Sequence, residues 1–478
     1  MIRFPHAISQ VASRWIVLGS GFALAAACVV GPDYRRPPVE TTATYKESTD
    51  WKPSEPNDTL SRGPWWTIYH DDELAGLEAK IEISNQNVLA AAAAVDQARA
   101  LVAEAKAGYW PTATASVGAQ RGAAGTAPAR TTVNAEVLGN WTLDIWGQIR
   151  RTVQSDRASA EASAAALAAA SLSAQSELAI DYFALRAQDQ LQRILDDIVV
   201  AETQSLKITQ NRYRFGVAAK ADVVTAQTQL LNSQAQQINA KVQRGILEHA
   251  VAVLVGQTPA AFSLALAVMP SDVPTVPVGV PSALLERRPD VAQAERKMAA
   301  ANAQIGVAKA AYFPNLTLSG SDQYSRSSFG RLLSAPNRVW AVGPQLAETL
   351  FDGGLHRAQV AQARAAYEAS VASYRQTVLS GFQQVEDEIL TLRVLEQQAV
   401  VETAAVAAAL EAETLTLNQY KAGTVPYSSV ITAQTTRLAS EETALTVLSN
   451  RLQASVALIE ALGGGWSAAQ LASAVTPR

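Results

Sequence analysis

The 478 residues carry a formal charge of −4, with 17% charged side chains, 6% aromatic ones and a single cysteine. A mildly acidic chain without a basic cluster excludes a nucleic-acid partner, and one thiol excludes an internal disulfide. Alanine runs at 164–166 and 168–170, with few large apolar residues, suit long helix-on-helix packing better than a thick globular core.

Taken in order, residues 1–27 read as a lipoprotein signal peptide. Arg3 and Arg14 precede an apolar run from Trp15 to Ala27, too short for the roughly 20 residues that a bilayer crossing needs. Cys28 stands at the cut position, where a covalent lipid would be attached; several acyl chains anchor far more firmly than one. Residues 28–64, with Pro32, Pro37, Pro38, Pro53, Pro56 and Pro64, read as an extended tether. Trp65, Trp66 and Tyr69 are expected to dock it.

A first structural repeat is assigned to 65–256. It opens with a short helix over 72–83 and a second over 85–108, whose Val88, Ala91, Val95, Ala98, Val102 and Ala105 form a coiled-coil seam. At Tyr109-Trp110-Pro111 the period falls from about 3.6 to 2, predicting a strand hairpin over 112–144 that turns near 123–129. The stretch from Gly147 to Phe215 then holds no proline and no further glycine before Gly216, predicting a helix of roughly 100 Å. It returns over 222–254.

Residues 257–287 form a proline-rich equatorial connection, and 288–466 a second repeat. Pro289 suits a first helical turn, and Val291, Ala294, Met298, Ala301, Ile305 and Ala308 continue as a seam. Tyr312-Phe313-Pro314 switches the chain into a second hairpin over 315–350, turning near 325–337. A long helix over 355–421 and a return over 428–462 follow, and 467–478 is a tail of small residues. The aromatic device recurs after 203 positions, while Asn211-Arg-Tyr213 and Thr225-Ala-Gln227 recur after 207 as Asn418-Gln-Tyr420 and Thr432-Ala-Gln434. Such offsets predict internal duplication, a unit built twice.

No later segment is apolar enough for a spanning helix, so any crossing falls to the strands. Tyr109, Trp110, Trp141, Trp146, Tyr312, Phe313 and Phe351 gather at the helix–strand junctions, as a lipid–water aromatic girdle would. Four strands cannot close a barrel; two chains would give eight and three would give twelve.

Catalytic chemistry is missing. There is no P-loop, no GxSxG and no HExxH, and His6, His70, His249 and His356 share no ligand spacing. Asp71-Asp72 and Glu386-Asp387-Glu388 read as solvated helix faces. The expectation is a protein that is not an enzyme and has no metal or cofactor beyond the lipid, passive or driven by a partner. The sharpest constellation lies at the two hairpin tips, 216–222 and 423–429. Gly216 and Gly423 can end helices in the left-handed conformation, and Asp222 and Ser428 or Ser429 are expected to cap the returning helices.

The 281–320 stretch, the Ala461-Leu-Gly-Gly-Gly-Trp466 ending and Cys28-Val-Val-Gly-Pro-Asp-Tyr34 together resemble the TolC-type outer-membrane efflux lipoproteins. The likeness is to the NodT-like branch of outer membrane factors that serves resistance-nodulation-division pumps. It implies a mostly α fold with a small β part. Long antiparallel hairpins would form an α-barrel tunnel, and the β-hairpins a 12-stranded transmembrane barrel shared by a homotrimer. It further implies outer-membrane lipid, a periplasmic adaptor, an inner-membrane pump, and export of drugs, toxic compounds or metals. At the gate it implies an Asp222–Tyr420 latch, with Tyr213 and Lys220 nearby. Ser429 and Thr432 are neutral where relatives often carry aspartates, and a basic residue often found near Val425 is missing. The alternatives are a lipid-anchored coiled-coil scaffold or adhesin without a pore, or the channel of a type I protein secretion system.

Overall fold

A computed structural model of the chain describes residues 29–38, 44–48, 64–123, 125–276 and 287–466. The signal, Cys28, the tail 467–478 and the part 277–286 of the proline-rich connection lie outside the described residues.

Helices α1 (Asp72–Ser84) and α2 (Gln86–Ala107) lead to strands β1 (Thr112–Gly122) and β2 (Arg130–Leu143), then to α3 (Gln148–Arg214) and α4 (Lys220–Leu254). The second half runs α5 (Pro289–Ala310), β3 (Asn315–Arg326), β4 (Arg338–Ala347), α6 (Leu355–Ala422) and α7 (Tyr427–Ala461). The fold is mostly helical with one small sheet. Asp71 caps α1 through the Glu73 and Leu74 N–H groups, and Asn85 caps α2 through those of Asn87 and Val88. Both seams face inward: every seam residue of α2 and α5 is buried or half-buried. The α3 helix runs 67 residues and α6 runs 68. α6 contains one glycine, Gly381, without a break in the helix, and it leaves room for the Arg288 guanidinium 3.4 Å from where a Cβ would sit.

The two hairpins are not separate. β2 also pairs with β3, giving an antiparallel sheet in the order β1-β2-β3-β4 with Thr112 opposite Asn140, Leu138 opposite Ser321 and Leu318 opposite Pro344. β1 is exposed along its whole length and β4 along almost all of it. Each has one edge with no partner among the described residues.

The main core sits halfway along the helices. Trp65, Tyr69, Leu74, Leu77 and Ile81 pack with Tyr182, Phe183, Val385, Ile389, Leu452 and Val456. Of the aromatics expected to dock the tether, Tyr69 lies 4.9 Å from the Phe183 ring and its hydroxyl 2.6 Å from Ser455 Oγ, while tether residues 39–43 and 49–63 lie outside the described residues. Residues 258–276 cross this waist. Buried Arg186 donates to Ala265 O, to Asp189 at 2.8 Å and to Glu73, while Arg244 donates to Asp189 at 2.7 Å and to Leu264 O.

The stretch 29–38 is extended, as expected, yet it is clasped. Arg151 donates to Val30 O, Gly31 O and Asp33, Asn302 donates to Pro32 O, and the Tyr34 hydroxyl donates to Glu295 at 2.6 Å. The acidic runs are likewise engaged. Asp71 accepts from the Tyr182 hydroxyl at 2.7 Å, and Glu386 accepts the N–H groups of Lys46 and Glu47. Carboxylates flanking irregular chain satisfy donors that no helix or strand would satisfy.

Candidate functional site: the helical tips and the sheet junctions

At the tips, each long helix ends in the same backbone motif. The Gly216 N–H bonds Tyr213 O and the Val217 N–H bonds Arg212 O; the Gly423 N–H bonds Tyr420 O and the Thr424 N–H bonds Gln419 O. Gly216 has φ +72° and Gly423 φ +82°, the left-handed backbone that glycine adopts without strain. This agrees with the expected role of both glycines.

The capping expectation needs correction. α4 starts at Lys220 behind Ala219, and α7 starts at Tyr427 behind Pro426, neither with a side-chain cap. Asp222, Ser428 and Ser429 therefore lie inside the first turn, because the cap positions fall two to three residues earlier than the polar residues suggested. There Asp222 still faces the positive end of the helix dipole. It is half-buried, and its carboxylate makes no hydrogen bond or ion pair among the described residues.

Tyr420 is 2% exposed and packs with Tyr427, Ala226 and Val430. Its hydroxyl donates to Thr209 Oγ1 at 3.3 Å, so within one chain its partner is Thr209 and not Asp222. The Tyr427 ring lies 5.2 Å away, and burial, with the Glu202 carboxylate and Tyr420, pushes the Tyr427 hydroxyl up to about 12. Lys220 Nζ lies 5.6 Å above the Tyr213 ring, a cation–π contact that occupies the one basic side chain offered as a substitute near the gate. Thr432 is exposed and its hydroxyl bonds Ser428 O; Ser429 is half-buried.

Below the tips lies a polar layer. Glu202 accepts from Gln229 at 3.0 Å, Gln434 donates to Ser205 at 3.4 Å, and Arg437 pairs with Glu413 at 2.8 Å. Burial raises the Glu202 carboxyl, and Glu413 adds to the rise. Thr209, Arg212 and Glu202 were not foreseen as tip residues. The one signal for them is that polar side chains replace apolar ones on the inward stripe of α3.

At the sheet end the aromatics divide. Trp141 donates to Tyr109 O at 2.9 Å, and Trp146 donates to Pro314 O at 2.8 Å while stacking on Phe313 at 4.7 Å. The Trp141–Tyr109 bond ties the two ends of the first junction together, and Trp146 with Phe313 and Pro314 joins the two halves of the chain where helix becomes strand. Tyr312 lies 5.4 Å from the His356 ring. Trp110 and Phe351 point outward, 74% and 89% exposed.

Residues 79–257 and 280–464 match the family model described as outer membrane efflux protein. The chain belongs to that family. It is 26% identical to a probable efflux pump outer membrane protein, TtgC of Pseudomonas putida, over 94% of this chain and 96% of that one. It is 31% identical to the pyoverdine export outer membrane protein OpmQ of Pseudomonas aeruginosa, over 84% and 87% respectively. The solved structure of the outer-membrane channel OprN matches with a TM-score of 0.85 at 28% identity, covering 92% of this chain and 100% of that one. This outer membrane efflux protein is therefore an outer-membrane channel, and the poreless scaffold is set aside.

Proposed function

We propose that three copies assemble into one passive conduit that carries small molecules (drugs, toxic compounds or metals) outward through the outer membrane. A periplasmic adaptor and an inner-membrane pump would feed it, and Cys28 would carry the anchoring lipid. One observation carries the reading: a four-stranded sheet whose outer strands β1 and β4 are exposed, with an open edge on each among the described residues. Hydrocarbon does not tolerate unpaired backbone, so such a sheet must close with copies of itself. Three sheets supply twelve strands, above the eight of the smallest barrels.

Several features support a unit built twice. Gly147 and Gly354 precede the long helices, Gly216 and Gly423 end them, and Gly256 and Gly463 close the return helices, all with positive φ and all 207 positions apart. We assign the gate to the tips, which carry Asp222, Tyr420, Tyr213, Lys220, Ser429 and Thr432 and where neighbouring subunits would meet. With neutral Ser429 and Thr432, the constriction would lack a cation-selecting carboxylate ring. Opening is a two-state shift biased by adaptor contacts.

The test is reconstitution of the full-length protein into planar bilayers, with chemical cross-linking in parallel. Cross-linked trimers and discrete conductance steps are expected. A monomer that leaves the bilayer electrically silent would overturn the proposal.

A further inference from the structure

Within a subunit, the two tips are held together at one side chain. Arg212 Nη1 donates to Tyr420 O and, at 3.0 Å, to Lys421 O. Its guanidinium lies 4.6 Å from the centroid of the Tyr420 ring, and a Cβ on Gly423 would come within 3.6 Å of Nη2. The same residue's own carbonyl accepts from Val217 N at 2.8 Å and Ala218 N at 3.3 Å, closing the other tip. One turn earlier on α3, Thr209 takes the Tyr420 hydroxyl. Tyr420 is thus held from α3 at its hydroxyl, its ring face and its backbone.

The physics favours this placement. The last carbonyls of α6 lack the N–H partner a continuing helix would give, Tyr420 O taking from the backbone only the Gly423 N–H of the cap, and they lie at the negative end of its dipole, where a cation is best placed. A guanidinium can bond two of them and stack on a ring at once, which an ammonium cannot. The position 207 residues on is Gln419, so the strap runs one way, from the first hairpin to the second.

We propose that Arg212 is a positioning residue that sets Tyr420 and makes the two tips of each subunit move as one body in the closed state. This rests on the reading of the tips as the gate. Without Arg212 the α6 tip would move independently of α3 and the closed ring would loosen.

The experiment compares closed-state conductance of full-length protein in planar bilayers for the parent, Arg212→Met, Arg212→Ala, Arg212→Lys, Tyr420→Leu and the Arg212→Met/Tyr420→Leu double variant. Trimer yield and melting temperature are followed alongside. Arg212→Met keeps the apolar stem, so it reads the strap even where Arg212→Ala fails to assemble. The expected result is a rise of about tenfold in Arg212→Met, the factor associated with losing one charge-assisted hydrogen bond. Partial rescue by Arg212→Lys, no further rise in the double variant, and unchanged trimers and melting complete the expectation. Leak in Tyr420→Leu with parental conductance in Arg212→Met would overturn the strap and leave the gate standing. A channel whose conductance no tip variant alters would overturn both. A rise in Arg212→Met that tracks a matching fall in melting temperature, with full rescue by Arg212→Lys, would reduce Arg212 to a general stabiliser and also overturn the strap.

Discussion

Gly31 and Gly306 touch backbone to backbone: a Cβ on Gly31 would stand 2.5 Å from the Gly306 Cα. Behind them Arg151, almost wholly buried, reaches past Gly306 to the carbonyls of Val30 and Gly31 and to Asp33. Val30 N in turn bonds Trp146 O at 3.1 Å. The chain leaving Cys28 is thereby delivered beside the helix–sheet junction, where an attached lipid would find the bilayer surface.

Adding one methyl at this contact is predicted to release the clasp. In Gly306→Ala the new Cβ falls 2.8 Å from Arg151 Cγ and Cδ, so the arginine must shift and give up its carbonyl partners. Overpacking of this kind costs about 1–3 kcal/mol. Chemical denaturation should report that loss, and trypsin should cleave after Arg35 faster than in the parent.

The waist supplies a larger effect. Arg186 and Asp189 are both buried, and the Asp189 carboxylate is shared by Arg186, Arg244 and the Ala267 N–H. Losing Arg186 leaves Asp189 with Arg244 and the Ala267 N–H as its remaining partners, so the cost approaches but does not reach the about 3–5 kcal/mol of a fully uncompensated buried charge. Arg186→Met is therefore predicted to destabilise strongly by urea unfolding. Arg186→Met with Asp189→Leu and Arg244→Met should recover most of the loss, and a triple variant no better than the single one would contradict this account.

What could be read in advance follows the range of the interaction. The long helices are legible because Gly147, Gly216, Gly354 and Gly423 mark their ends, and the strands because the period changes at Pro111 and Pro314. The β2–β3 pairing is not, since Leu138 and Ser321 are brought together only by the folded chain. Arg151 and Arg212 escape notice for a related reason: most of their acceptors are backbone carbonyls, which carry no residue signature. The capping rule misplaced Asp222 because α4 begins at Lys220 without a side-chain cap. Glu78 was legible but overlooked. It lies on the apolar stripe of Leu74, Leu77 and Ile81, four residues after the first and three before the last.

Glu78 is fully buried, and neither carboxylate oxygen has a hydrogen-bond partner among the described residues. Burial pushes its carboxyl from the ordinary 4.5 up to about 9. Between those values the folded chain keeps a proton that the unfolded chain has released, so stability falls as pH rises. The slope is at most about 1.4 kcal/mol per pH unit for one group. Glu78→Leu, completing the apolar stripe, is predicted to stabilise the protein, with a gain that widens from pH 5 to pH 8. Denaturation midpoints at several pH values check this, and a gain independent of pH would show that Glu78 is already ionised in the fold.

Asp222 presents the reverse situation, a carboxylate with no bond among the described residues of its own subunit, at a tip where the proposed assembly would bring a neighbour. Tyr420 is already held by Thr209 and Arg212, so an intrachain latch is not what occupies Asp222. In the closed ring proposed above, a donor from the adjacent copy would be its partner. Removing one hydrogen bond to a charged group costs about 1.5–3 kcal/mol, roughly tenfold or more in the closed-to-open ratio. Asp222→Ala is accordingly predicted to raise passive leak in reconstituted bilayers while leaving the subunit's melting behaviour unchanged. Asp222→Asn, which can still accept one hydrogen bond, should leak less. Equal conductance in parent and Asp222→Ala would remove Asp222 from the gate and leave Tyr420 with its α3 contacts as the surviving candidate.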